Sequence, residues 1–155
     1  MPRTVEELQR LPGIGRYTAG AIASIAFDKR APILDGNVIR VLSRLFRISA
    51  DPKSSKGQKL FWKKAEEILP AYHCGDFNQA LMELGATVCL PGNPICPLCP
   101  ASPSCLARKA GDPRTYPCGK KKMVYRDILM TAAVVERKGK VLMVRRSDHG
   151  LLRGM

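Results

Sequence analysis

Apolar positions recur at helical spacing through the first ninety residues. Val5, Leu8 and Leu11 fall on one side of a segment that opens with Thr4-Val5-Glu6-Glu7, a capping box. The sequence therefore predicts a short helix from Val5 to about Leu11, broken by Pro12-Gly13-Ile14-Gly15. A second helix is predicted from about Tyr17 to Phe27. Its Ala19, Gly20, Ala21, Ala23, Ser24 and Ala26 are small enough to let another backbone approach closely. After a connection at Ala31–Gly36, the residues Val38, Val41, Leu42, Leu45 and Phe46 mark a third helix, whose other face carries Arg40, Arg44 and Arg47. Asp51–Gly57 is a polar loop. Leu60, Phe61, Ala65, Ile68 and Leu69 predict a fourth helix, ended by Pro70. Asp76-Phe77-Asn78-Gln79 reads as another cap, with Gln79 as the reciprocal partner. The helix it starts runs to Leu84, and Gly85 either caps it or lies inside a helix continuing towards Val88.

The pattern then changes. Pro91 to Pro103 is rich in Pro and Cys and is expected to lack regular structure, and Gly111 to Lys122 reads as a basic linker. Ile128–Val135 and Val141–Val144 are β-branched apolar runs, with Lys138-Gly139-Lys140 as a hairpin turn between them. Two strands alone are marginal, so they are expected to open a second unit. The expected fold is mainly α, with a helical domain over 1–110, a linker over 111–125 and a short β-hairpin unit over 126–155.

Composition narrows the class. Of 155 residues, 45% are hydrophobic and 25% charged, as in ordinary globular domains. No apolar run approaches the ~20 residues needed to span a bilayer. Met1–Glu7 contains no apolar signal segment. Membrane and secreted-scaffold readings fall away. The formal net charge is +13, which favours a polyanionic partner, although a merely soluble basic surface would show it too. Residues 106–155 hold 13 basic and 4 acidic residues, residues 1–105 hold 13 and 9, so the C-terminal third carries most of the field.

Three constellations carry chemistry. In Leu11-Pro12-Gly13-Ile14-Gly15, two glycines two apart allow a tight turn that presents backbone N–H groups at a helix N-terminus. That geometry binds phosphate oxygens without reading sequence; a plain helix–turn–helix corner is the alternative. Cys89, Cys96, Cys99 and Cys105 form C-x6-C-x2-C-x5-C within 17 residues. Without an export signal such a group points to a metal site. One C-x2-C pair flanked singly on both sides favours iron–sulfur over zinc, whose ribbons more often use two such pairs. Cys74 and Cys118 lie outside it as free thiols. Asp35, in Leu34-Asp35-Gly36-Asn37-Val38, is either the N-cap of the third helix or a catalytic carboxylate, set after an apolar segment and before a glycine that lets a ligand come close.

In order and spacing these features resemble the helix–hairpin–helix DNA glycosylase superfamily. Residues 8–49 and 75–108 resemble its adenine DNA glycosylases in particular. The stretches LPGIGRYTAGAIASIAF, ILDGNVIRVLSRLF, FNQALMELGATVC and the cysteine loop carry the likeness. The tail VLMVRRSDHGLLRGM resembles the start of that family's Nudix-like C-terminal domain. The resemblance implies hydrolysis of the N-glycosidic bond of adenine opposite 8-oxoguanine or guanine, on a base flipped out of the duplex. It implies Asp35 as the catalytic carboxylate, and Leu11, Gly13, Gly15 and Tyr17 as DNA contacts. Cys89, Cys96, Cys99 and Cys105 would hold a 4Fe–4S cluster that shapes a DNA-contacting loop. Related bifunctional enzymes place a Schiff-base lysine where this chain has Tyr17, so the resemblance implies a monofunctional glycosylase. His73 and His149 match no motif.

The family also keeps a general-acid glutamate upstream of the hairpin. Only ten residues precede Leu11, and neither Glu6 nor Glu7 matches its position. The expectation is a chain truncated at both ends, impaired alone, with apolar faces of residues 17–46 exposed. It is expected to act as a monomer on duplex DNA bearing an A·8-oxoguanine or A·G pair, without a membrane. Its expected place is the bacterial cytoplasm, associated with the nucleoid, or a nucleus or mitochondrion. The competing readings are an endonuclease III-like glycosylase/AP lyase and a non-catalytic iron–sulfur or zinc DNA-binding module.

Overall fold

Thr4 begins the first element as expected. Its hydroxyl accepts from the Glu7 N–H, and the Glu7 carboxylate accepts from the N–H groups of Arg3 and Thr4. Those backbone donors hold the Glu7 carboxyl below the usual carboxylate range. The computed structural model describes residues 2–119, 128–129, 131, 133–145 and 147–149. The chain divides into two compact units, Met1–Lys121 and Lys122–Met155.

The first unit is helical: α1 Val5–Leu8, α2 Arg16–Phe27, α3 Gly36–Leu45, α4 Ser55–Ile68, α5 Cys74–Thr87 and α6 Leu106–Lys109. α1 stops at Leu8, earlier than its apolar spacing suggested, because residues 9–13 turn into the hairpin. α5 packs against both α2 and α3. One core group comprises Ile33, Leu34, Val38, Leu42, Ile48, Phe61 and Ala65. A second, under the hairpin, comprises Leu8, Ala19, Ala23 and Ala31.

Three expectations are corrected. α5 begins at Cys74, two residues before the expected Asp76 cap, and its N-cap is His73 in the left-handed region at φ 56°. The capping acceptor comes instead from Asp28, whose carboxylate takes the Cys74 N–H at 3.1 Å, while Gln79 donates to the Gly75 carbonyl. α5 also passes through Gly85 to Thr87, the second of the two sequence readings. A Cβ at Gly85 would stand 2.6 Å from Cβ of Asn37, so its bareness serves the α3–α5 contact rather than a cap. Third, Pro91–Pro103 is not wholly irregular: single 3₁₀ turns form at Cys96–Leu98 and Ser102–Ser104.

α2 and α5 meet through small residues. A Cβ at Gly75 would lie 2.6 Å from the Ser24 carbonyl oxygen, and one at Gly20 would lie 2.4 Å from that of Pro32. Between them Asn78 donates to the Ser24 hydroxyl and the Ala31 carbonyl, both at 2.9 Å, and is almost fully buried. Residues 111–119 lie on the same unit. Tyr116 is buried, and Arg47 pairs with Asp112 at 2.8 Å.

In the second unit β1 Glu136–Arg137 pairs antiparallel with β2 Lys140–Val141. Lys138 and Gly139 both have positive φ, the primed turn that suits a two-residue hairpin. The paired part is shorter than the two apolar runs, and Val134, Val135, Leu142, Met143 and Val144 are exposed. No described face of these runs is buried, so nothing extends the ladder. Residues 130 and 132 of the first run, and most of the RSDHGLLRGM tail, lie outside the described residues.

Candidate functional site

The hairpin between α1 and α2 closes with the Ile14 N–H on the Leu11 carbonyl at 3.2 Å. Gly13 has φ +81°, a conformation that strains any residue with a Cβ. Gly15 is the N-cap of α2 and no side chain caps the helix, which leaves first-turn N–H groups open to an outside acceptor. Space for a Cβ at either glycine is empty within 4 Å. Leu11, Gly13, Gly15 and Tyr17 are all exposed. The Arg16 guanidinium stacks 3.9 Å from the Trp62 ring centroid, which holds a cation beside this helix end. An exposed N-terminus of a 12-residue helix with a fixed cation is an anion site in physical terms.

Asp35 is the N-cap of α3. Its Oδ1 accepts the Val38 N–H at 2.7 Å, and the residue is half-buried. The bland reading of Asp35 is therefore correct, and it does not exhaust the carboxylate, because the cap uses Oδ1 alone. The next residue, Gly36, is exposed, with nothing within 4 Å of its Cβ direction. A small molecule has room beside the acid.

α5 joins these two places. Met82 accepts the Tyr17 hydroxyl at 3.4 Å, and one turn on, Gly85 lies against Asn37 of α3. The residues are three apart and so share a helix face. Tyr17 and the start of α3 are thus held by one rigid element.

The four loop cysteines line a single small cavity, with Arg44 and Arg108 in its wall. All four are free thiols and partly buried. Burial pushes the Cys99 thiol up; a backbone hydrogen bond at Ala101 works against this, and the other three thiols add to it. The four groups are thus close enough to oppose one another's ionisation, and a cation among them would relieve that. No three His, Cys, Asp or Glu side chains among the described residues form a single-ion site, which would need thiolates about 2.3 Å from one metal. Four thiols around one cavity without that convergence suit a larger inorganic group, held at its corners. Cys74 and Cys118 lie elsewhere: Cys74 is fully buried with its thiol on the Pro70 carbonyl, and Cys118 reaches the Thr115 carbonyl.

Sequence reasoning left the arginines of α3 as an undefined polar face. Arg40 and Arg44 in fact turn into the cysteine loop. Arg40 donates to the carbonyls of Cys89 at 2.7 Å and Gly85 at 2.6 Å and to the Asn37 side chain at 2.7 Å. Desolvation pulls the Arg40 pKa down, while Cys89 and Asp35 work to raise it. Arg44 is 2% exposed, the largest fully buried side chain in the chain's described part. The one available signal was their spacing, i and i+4 on the face opposite the apolar stripe, just before a loop whose carbonyls have no partners of their own.

An apolar cleft of about 580 Å³ also opens between α3, α5 and the loop, lined by Val41, Leu45, Phe77, Leu81, Leu84 and Val88 among others. Part of the apolar surface of residues 17–46 is therefore open, as expected. Among the described residues no helix is long and apolar enough to cross a membrane.

Residues 1–25 match the model of the helix-hairpin-helix motif. A solved structure titled as a thermostable thymine-DNA glycosylase superposes with a TM-score of 0.63 at 34% identity, covering 71% of this chain and 50% of that one. The first unit therefore has the fold of the helix–hairpin–helix DNA glycosylases. The human adenine DNA glycosylase is 54% identical over 110 residues, 70% of this chain and 20% of that protein. The Arabidopsis thaliana adenine DNA glycosylase is 42% identical over 168 aligned positions, 99% of this chain and 27% of that protein. The chain belongs to the adenine DNA glycosylase family, and spans about a fifth to a quarter of the length of these two relatives.

Proposed function

We propose that this chain supplies the DNA-gripping hairpin, the catalytic carboxylate and the metal loop of an enzyme that removes adenine from duplex DNA at A·8-oxoguanine and A·G pairs. The observation that carries the reading is Asp35: a half-buried carboxylate at a helix N-terminus beside an open glycine, on an element tied through α5 to the hairpin.

The hairpin N–H groups and Arg16 hold a backbone phosphate without reading sequence. The adenosine is drawn out of the stack so that its sugar reaches Asp35. As the bond to adenine breaks, positive charge develops on the sugar. The Asp35 carboxylate stabilises that charge and orients the attacking water. The leaving adenine needs a proton. Glu7 is a poor source, because backbone N–H groups hold its carboxylate ionised, and the resemblance assigns this acid to an upstream helix. Tyr17 has no amine, so no Schiff base forms and the sugar–phosphate backbone stays intact. Cys89, Cys96, Cys99 and Cys105 would hold a 4Fe–4S cluster, which supplies a rigid, charged support for the loop rather than hydrolytic chemistry. The site of action is the compartment that holds the DNA, and one copy of the chain contains every residue assigned here.

The test is a single-turnover assay on a duplex with adenine opposite 8-oxoguanine. It uses this chain alone and this chain joined to the flanking segments of its human relative. The joined protein should release adenine and give strand breaks only after hot alkali. The chain alone should bind with little release. Breaks without alkali, or covalent trapping by borohydride, would instead support a lyase. Absence of release from the joined protein would overturn the reading.

A further inference from the structure

The Arg44 side chain is buried, yet no carboxylate pairs with it. Its guanidinium donates to the carbonyls of Leu90 at 2.7 Å, Pro91 at 3.0 Å, Tyr116 at 3.1 Å and Cys89 at 3.2 Å. It also donates to the Cys89 Sγ at 3.2 Å. On the other side, the Cys105 thiol rests on the Arg44 carbonyl at 3.5 Å. The first and last cysteines of the loop therefore both touch one residue of α3. Leu90 and Pro91 open the loop, and Tyr116 follows it, so the guanidinium spans its neck.

A buried cation without a counter-charge is costly, and carbonyl dipoles offset only part of that cost. Anionic thiolates in the adjoining cavity would supply the missing charge. We propose that Arg44 is the positioning residue of the metal centre: it holds the empty loop in the binding shape and donates an N–H to the ligating sulfur of Cys89. This rests on the iron–sulfur reading above. The hydrogen bond withdraws electron density from the thiolate and so favours the more reduced cluster. Loss of a partner that orients a metal ligand typically lowers metal affinity about 10–100-fold.

The experiment compares the unsubstituted 155-residue chain with Arg44→Lys and Arg44→Met. Iron and sulfide content, far-ultraviolet circular dichroism, the rate of cluster loss to a chelator and the reduction potential are measured on each. The unsubstituted chain should hold iron and sulfide in equal amounts. Arg44→Lys keeps the charge and reach to one carbonyl. It should keep its helices, lose iron about 10–100-fold faster, and shift to a more negative potential. A loosened fold alone would speed the loss but leave the potential of the remaining cluster unmoved, and that result would overturn the proposal. So would Arg44→Lys with unchanged lability and potential. Should neither variant fold, pulsed electron paramagnetic resonance on the unsubstituted protein with ¹⁵N-labelled arginine decides: no guanidinium nitrogen coupled to the cluster spin overturns it. Zinc or no metal in the unsubstituted chain removes the iron–sulfur reading itself, and this proposal with it.

Discussion

Replacing Asp35 by Asn should slow adenine release about 10²–10³-fold while leaving DNA affinity and folding nearly unchanged. The argument uses the double duty of this side chain. As N-cap, Asp35 offers Oδ1 to the Val38 N–H at 2.7 Å, and asparagine caps about as well as aspartate. As a charge, it faces the cation that develops on the sugar, and a neutral amide cannot do that. Removing one well-placed electrostatic partner from a transition state costs about 10²–10³ in rate. Asp35→Ala removes both functions and should lose a further ~1 kcal/mol of stability. Single-turnover release by the joined protein, set beside a binding titration and a thermal melt, separates the two roles. A rate for Asp35→Asn within threefold of the unsubstituted protein would leave Asp35 a cap and nothing more.

The largest structural effect is expected at Gly75. A valine there must push against the Ser24 carbonyl, 2.6 Å from the new Cβ, and the Ile25 Cα at 2.9 Å. Both are backbone atoms of α2 and neither can rotate away. Overpacking of this kind costs about 1–3 kcal/mol. Separating α2 from α5 also strips Asn78 of its bonds to Ser24 and Ala31, and a buried amide left unpaired costs about 1–3 kcal/mol more. The sum, about 2–6 kcal/mol, should lower the melting temperature by roughly 10–20 °C. Gly92→Ala, where nothing lies within 4 Å, is the matched control and should melt as the unsubstituted chain does. A Gly75→Val protein melting within about 3 °C of the control would mean that α2 and α5 can slide apart at little cost.

What the sequence made legible was local. The Thr4–Glu7 box, the Gly13–Gly15 turn and the cap at Asp35 each speak through contacts three or four residues long, and the structure contains all three. The cysteine spacing told the loop's chemistry for the same reason. What stayed hidden depends on residues far apart in the chain. Nothing near Cys74 announces that Asp28 will cap its helix from 46 residues away. Asp76 and Gln79 look like a cap because they have the right types at the right spacing, and a tertiary acceptor outbid them. Arg44 reads as a surface cation until its five acceptors are assembled around it.

That separation has a consequence in time. On a ribosome the acceptors of Arg44 emerge between 45 and 72 residues after it. At about 5–20 residues per second the delay is roughly two to fifteen seconds. Nascent chains halted before Cys89 emerges should leave the Arg44 guanidinium open to an arginine-specific reagent, and released chains should protect it; equal labelling of both would count against the ordering. During the interval α3 is amphipathic with both faces wet, and the cysteines arrive last of all. The growing chain then passes through a stage in which four reduced thiols meet a cation already in position, and the cell's supply of iron and sulfide governs whether that stage is brief.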